Sequence, residues 1–309
     1  MTSAMPVLFF DSELALEFRD LVDGRAIVVG PDDVDLPRAD AVVAGTSRWD
    51  AERMAKGSRL RVISRIGVGY DAVDVGAATA AGITVCYTPQ APTTSTAEHT
   101  IALMMAITKG IEAARARARQ GLPGGSATTL ELDGCVLGLL GFGRIARRVA
   151  SVGLSLGMNV IAHDPFLPSS DFGSEAVTMV AFDELWTNSH VISLHAPATP
   201  ATRHVVGART LAMMRSRSYL VNCARGSLVD QGALLTALDS GHLAGAALDV
   251  TDPEPLPAGH PLLEHPRVVV TPHIASNTAA GRRRLYEHAI RHALETLAGT
   301  PTSVVPEQC

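Results

Sequence analysis

The stretch VLGLLGFGRIARRVA, residues 136–150, decides the fold class. An apolar run short enough for a buried strand leads straight into Gly141, Phe142, Gly143, Arg144, Ile145 and Ala146, and helical spacing follows. Strand, glycine turn and helix in that order make the dinucleotide fingerprint, with alanine as the third small residue. Gly141 makes the tight turn, Gly143 lets the backbone approach a pyrophosphate, and Ala146 lets helix and strand pack closely. The helix start then offers its N–H groups to phosphate. Taken alone, a plain strand-turn-helix corner reads the same way. The next strand, NVIAHD (159–164), supplies the second element. It ends in Asp164, about 20 residues after Gly143, where a carboxylate accepts hydrogen bonds from an adenosine ribose. A carboxylate there also repels a 2′-phosphate, so NAD is expected over NADP. The plainer alternative for Asp164 is a turn residue before Pro165.

Outward from this stretch, short apolar runs alternate with helical segments almost throughout, the pattern of βα units on a mostly parallel sheet. Strands are expected at 6–10, 41–45, 61–65, 83–86, 136–141, 159–164, 191–195, 218–223, 245–250 and 267–271. About ten strands suit two sheets better than one. The clearest long helix is expected over 95–121, capped by Ser95 or Thr96 with Glu98 reaching back, and a second from Thr278 to Leu297. The stretch QGLPGGSATTLELDG (120–134) has the most linker-like composition. Domain crossings are therefore expected at these two helices. The expected class is α/β, with two Rossmann-like, doubly wound domains closing over a cleft. A dinucleotide-binding domain (96–276) is inserted within a flavodoxin-like substrate domain (1–95 and 277–309).

Composition excludes several function classes. The 309 residues can bury a large core, and 47% hydrophobic with 18% charged content argues against disorder. A net charge of -5 leaves no basic footprint for nucleic acid, and GRRRLYEH (281–288) reads as a solvated helix face. Cys86, Cys135, Cys223 and Cys309 have no metal-site spacing; three of them lie in or beside apolar runs. A reduced, cytoplasmic protein without metal is the expectation. No basic region precedes the first apolar run and no apolar stretch reaches ~18 residues, so neither a leader nor a membrane span is expected.

Three polar residues follow strands in the same half of the chain: Arg225, Glu254 and His273. In a doubly wound sheet the carboxyl ends of parallel strands share one crevice, so these side chains are expected to converge. Arginine can hold a carboxylate or a ketone oxygen with two parallel bonds. Histidine moves a proton near neutral pH, and a glutamate on its other ring nitrogen fixes its orientation. With a nicotinamide supplying hydride, the set would interconvert a 2-hydroxy acid and a 2-oxo acid. Singly, Arg225 also reads as a surface cation, Glu254 as a solvated turn residue and His273 as a turn histidine.

On these residues, and on SRIGVGYDAVD (64–74), STAEHTIALMMA (95–106), GLLGFGRIA (138–146), LHAPATPATRH (194–204), NCARGSLVD (222–230), ALDVTDPEP (247–255) and TPHIAS (271–276), the chain resembles the D-2-hydroxyacid dehydrogenase family. Seven blocks in the family's order span essentially its whole length. The resemblance implies that Arg225 binds substrate and that Glu254 supports His273 as the acid/base. It implies that the backbone at Val68 and Gly69 holds the substrate carboxylate. It further implies that Arg144 and Ile145 face the pyrophosphate, and that Thr100, Asp249, Cys223, His195 and Pro197 line the cofactor. A homodimer through the cofactor domain is also implied.

Family members specific for phosphoglycerate tend to carry arginines just after the second strand, where this chain has Ala44 and Thr46, so 3-phosphoglycerate is not the expected substrate. Glu254 stands where a formate dehydrogenase would show glutamine. Arg48 and Arg65 remain candidates for a second anion, as on a phosphonate or a dicarboxylate, or are surface cations. The chain ends soon after the returning helix, so no terminal regulatory domain is expected. A nucleotide sensor or corepressor-like protein on this fold is the alternative of a different class, although a sensor needs no proton relay.

Overall fold

Runs such as Val136–Leu140 (VLGLL) and Val191–Leu194 (VISL) have apolar side chains on both faces, which suits a strand with helices packed on either side. The computed structural model describes residues 4–124, 129–167 and 176–309. It contains two units, Met1–Thr93 with Asn277–Cys309, and Thr94–Ser276.

The first unit holds β1 (Val7–Phe10), β2 (Ile27–Val29), β3 (Ala41–Ala44), β4 (Val62–Arg65) and β5 (Thr84–Cys86). They form a parallel sheet in the order β2-β1-β3-β4-β5, a flavodoxin-like arrangement. Alternate side chains serve opposite cores. Phe9, Val42 and Ile63 join one cluster, while Leu8, Val43 and Val62 join the other with Ala289, Ile290 and Ala293 of the returning helix Ala279–Leu297. Thr278 starts that helix by accepting from Gly281 N at 2.9 Å.

The second unit holds β6 (Val136–Leu140), β7 (Asn159–His163), β8 (Val177–Met179), β9 (Val191–Leu194), β10 (Ser218–Asn222), β11 (Leu243–Leu248) and β12 (Val268–Val270). All pairs are parallel, in the order β12-β11-β10-β9-β6-β7-β8. This is a Rossmann order carrying one additional strand, with the topological switch between β6 and β9. Leu137, Leu139 and Val221 fill one face, and Ile192, Leu194 and Leu220 the other. Each fully buried aliphatic side chain contributes about 1.5–3 kcal/mol against exposure.

Twelve strands are present among the described residues, not about ten. The two unexpected ones, β2 and β8, are three-residue strands at sheet edges, each with only one buried side chain. The expected helix over 95–121 is also corrected: it is two helices, Thr93–Thr108 and Ile111–Arg119. Gly110 breaks it at φ 61°, a left-handed conformation in which a helix ends. The first helix buries Leu103, Met104 and Ile107; the second buries nothing. Because the first helix starts at Thr93, Ser95 and Thr96 lie buried within it and do not cap it. The linker-like stretch falls partly on 125–128, outside the described residues.

Candidate active site

The ladder of the second unit draws one line across six strands. His163, Leu140, Leu194, Asn222, Leu248 and Val270 are successive register partners. One residue beyond that line stand Asp164, Gly141, His195, Cys223, Asp249 and Thr271, so the strand ends present these residues along a single edge.

At the switch point Gly141 has φ 87°, and a Cβ there would lie 2.9 Å from the backbone of His195 and Ala196. Ala146 is fully buried against the sheet. Gly143 precedes the helix Arg144–Ser155, has no side-chain cap, and a Cβ on it would meet nothing within 4 Å. The first-turn N–H groups of a helix have no partners within the helix, so the start beside Gly143 is suited to an anion. Arg144 is exposed there, whereas the Ile145 side chain packs toward the core, leaving its backbone for the ligand. Asp164 accepts from Phe142 N at 2.9 Å and from Phe166 N at 3.0 Å, which holds its carboxylate beside the glycine turn. An open helix start, a glycine cradle and a flanking carboxylate fit a dinucleotide.

Further along the same edge, His273 Nδ1 lies 2.5 Å from Glu254 Oε1, with both side chains about one-third exposed (36%). A carboxylate facing Nδ1 keeps the ring hydrogen there and leaves Nε2 for another partner. His273 has φ 52°, unusual for a residue other than glycine. Arg225 follows β10, half-buried, and its Nη1 donates to Ala224 O. Asn222 sets that turn, donating to Arg225 O at 2.8 Å and accepting from Ala224 N at 2.9 Å. Gly226 brings this turn against the one after β11, since a Cβ there would fall 2.0 Å from the Thr251 carbonyl.

Asp249 is buried and organises the segment bearing His273. Its Oδ1 accepts from Thr271 Oγ1 at 2.6 Å and Ile274 N at 2.9 Å, and its Oδ2 from Ala275 N at 2.9 Å. Burial alone would raise its pKa, but bonds from His99, Thr271, Ile274 N and Ala275 N together hold the acid below the usual carboxylate value. Thr100 is buried and donates to Thr96 O at 2.8 Å. Burial pushes the Cys223 thiol up to about 12, against a smaller downward pull from its hydrogen bond with Thr100. Burial likewise pushes His195 down to about 4, so its ring is neutral at pH 7, bonded to Ser193 Oγ at 3.0 Å. Pro197 is exposed in the turn that follows.

The family model described as D-isomer specific 2-hydroxyacid dehydrogenase, NAD binding domain, matches residues 101–275. The chain belongs to that family. Among relatives, it is 39% identical over 244 residues to a D-3-phosphoglycerate dehydrogenase of Methanocaldococcus jannaschii, covering 78% of this chain and 46% of that one. It is 38% identical over 251 residues to a glyoxylate reductase of Aeropyrum pernix, covering 78% and 74%. A solved D-lactate dehydrogenase from Aquifex aeolicus, complexed with NAD and lactic acid, superposes with a TM-score of 0.84 at 28% identity, covering 95% of this chain and 96% of that one. The chain spans about half the length of the curated phosphoglycerate dehydrogenases it matches.

In this member of the D-isomer specific 2-hydroxyacid dehydrogenase family, NAD is the cofactor of the matched domain. In the other unit, Val68 and Gly69 follow β4 in a turn opened by Gly67 at φ 144°, whose N–H donates to Thr88 Oγ1 at 2.8 Å. Among the described residues nothing accepts from the N–H groups of Val68 and Gly69. Arg48 is an exposed cation 3.7 Å from Asp50. Arg65 is not a surface cation: it is buried, and its Nη1 donates to Ala44 O and Ile66 O. No helix among the described residues is long and apolar enough to cross a membrane, and no described cluster of His, Cys, Asp or Glu could hold a metal. The sequence reading did not single out Asn222, Gly226, Thr271 or His99. A strand-ending asparagine two residues before a turn signals the first, but the rest act through contacts distant in sequence.

Proposed function

We propose that this protein is an NAD-dependent oxidoreductase interconverting a small D-2-hydroxy acid and its 2-oxo acid. The observation that carries the reading is the bond between His273 Nδ1 and Glu254, on the same strand-end edge as the glycine cradle. When bound, nicotinamide supplies or accepts the hydride at C2. His273 Nε2 moves the proton at the C2 oxygen: it gives the proton when a ketone is reduced and takes it when the alcohol is oxidised. Glu254 holds the ring through Nδ1 and stabilises the imidazolium when Nε2 is protonated. Arg225 binds the substrate's oxygens with its planar fork. The family resemblance assigns the substrate carboxylate to the N–H groups of Val68 and Gly69, residues 96–276 to cofactor binding, the remainder to substrate, and a homodimer as the working form; a cytoplasmic location rests on the cysteine pattern instead.

Thr46, just after β3, still argues against 3-phosphoglycerate, whereas Ala44 is the fully buried last residue of that strand; the placements of Arg48 and Arg65 add no support for a second anionic group. NADH oxidation measured against glyoxylate, pyruvate, hydroxypyruvate and its 3-phospho ester tests the proposal. Turnover of at least one unphosphorylated acid is the expected result. NADH binding with no turnover on any of them would favour the sensor reading instead.

Asp164 carries the cofactor preference. Asp164→Asn keeps an acceptor for Phe142 N but removes the charge that repels a 2′-phosphate. The ratio of kcat/KM for NADPH over NADH should rise by roughly tenfold, equivalent to about 1.4 kcal/mol. An unchanged ratio would place the discriminating group elsewhere.

A further inference from the structure

His273 stands in a segment wrapped around a single buried carboxylate. Asp249 accepts His273 N on its backbone oxygen at 2.8 Å, and its side chain takes Thr271 Oγ1, Ile274 N and Ala275 N. The left-handed conformation of His273, at φ 52°, is strained for a residue other than glycine and persists only where its surroundings over-determine it. From the sheet edge, Asp249 bonds to four groups of residues 271–275.

One further side chain reaches this cluster from a different element. His99, in the helix Thr93–Thr108, puts Nε2 3.1 Å from Thr271 Oγ1 and 3.3 Å from Asp249 Oδ1. The direction of these bonds follows by elimination. The Thr271 hydroxyl spends its proton on Asp249 Oδ1, and an ionised carboxylate has none to give, so His99 Nε2 carries the hydrogen and donates it. Through that donation the helix is tied to the loop at a point two residues before His273. The Asp249 side chain is 0% exposed, so water cannot readily replace a lost donor there.

We propose that His99 is a positioning residue of this site: by donating Nε2–H into the Thr271 and Asp249 pair, it locks the 271–275 loop in the turn that directs His273 toward substrate. The proposal rests on His273 being the acid/base of the preceding subsection. It extends that reading to a residue on a different element, the helix Thr93–Thr108.

In the full-length protein, His99→Ala should lower kcat by about 10- to 100-fold, the size of effect a displacement near 1 Å produces. KM for the 2-oxo acid should stay within about twofold, since its uniform binding is untouched. His99→Gln, whose amide can donate toward the same pair, should recover most of the loss. Amide exchange at Ile274 and Ala275 should quicken about tenfold or more in His99→Ala and return toward wild type in His99→Gln, because these groups open locally once the carboxylate loosens. Unchanged kcat in His99→Ala, equal defects in both variants, or unaltered exchange at Ile274 and Ala275 would each overturn the proposal. Should the wild-type protein turn over no 2-oxo acid, or tolerate His273→Ala, the enzyme reading fails instead. Exchange at those two amides then still decides whether His99 locks the loop.

Discussion

His273→Ala should reduce kcat by at least ~100-fold while NADH affinity remains nearly intact, because a general acid/base contributes about that much and the cradle at Gly141 and Gly143 does not involve the ring. Steady-state NADH oxidation gives the first quantity, and quenching or enhancement of NADH fluorescence on titration gives the second. Glu254→Gln should fall between wild type and His273→Ala, since it keeps an acceptor opposite Nδ1 but removes the charge that supports imidazolium. If His273→Ala weakened NADH binding as much as turnover, the ring would be a structural element of the strand edge, and the proton would have to come from another group.

Gly226→Ala should destabilise the fold by about 2 kcal/mol or more, the upper part of the range for overpacking. The added Cβ would fall 2.0 Å from the Thr251 carbonyl carbon and oxygen and 2.7 Å from Asp252 N. Those are backbone atoms, so relief requires moving the turn that leads to Glu254. Urea unfolding monitored by circular dichroism measures the loss. Gly143→Ala provides the contrast, since its Cβ would meet nothing within 4 Å at φ -75°. Its unfolding midpoint should match wild type, while its affinity for NADH falls because the methyl occupies the space into which a pyrophosphate fits. Equal stability of Gly226→Ala and wild type would mean that the two turns separate freely, and the argument for their coupling would be lost.

The two glycines show how differently parts of this site were legible. Gly143 sits in a contiguous motif, where strand, turn and helix follow one another and each residue's task is set by its immediate neighbours. Gly226 belongs to NCARGSLVD, which the family resemblance matched without indicating why glycine is needed. The reason is a backbone segment 25 residues further along the chain, brought alongside by the pairing of β10 with β11. The helix break at Gly110 was missed because the Ala- and Arg-rich stretch beyond it has strong helical propensity. Only the contrast between a buried first segment and an exposed second one gives the break its place.

By itself, the amino-acid order determined the α/β class, the dinucleotide turn and the strand-end placement of Arg225, Glu254 and His273. Each of these follows from local periodicity and from residues adjacent in the chain. The tertiary structure decided the order of the strands, the edge strands β2 and β8, and the enclosure of Asp249 by Thr271, His99 and the amides of Ile274 and Ala275. Those features depend on hydrogen bonds and burial between segments far apart in sequence, and such pairings have no period or spacing that the chain displays before it folds.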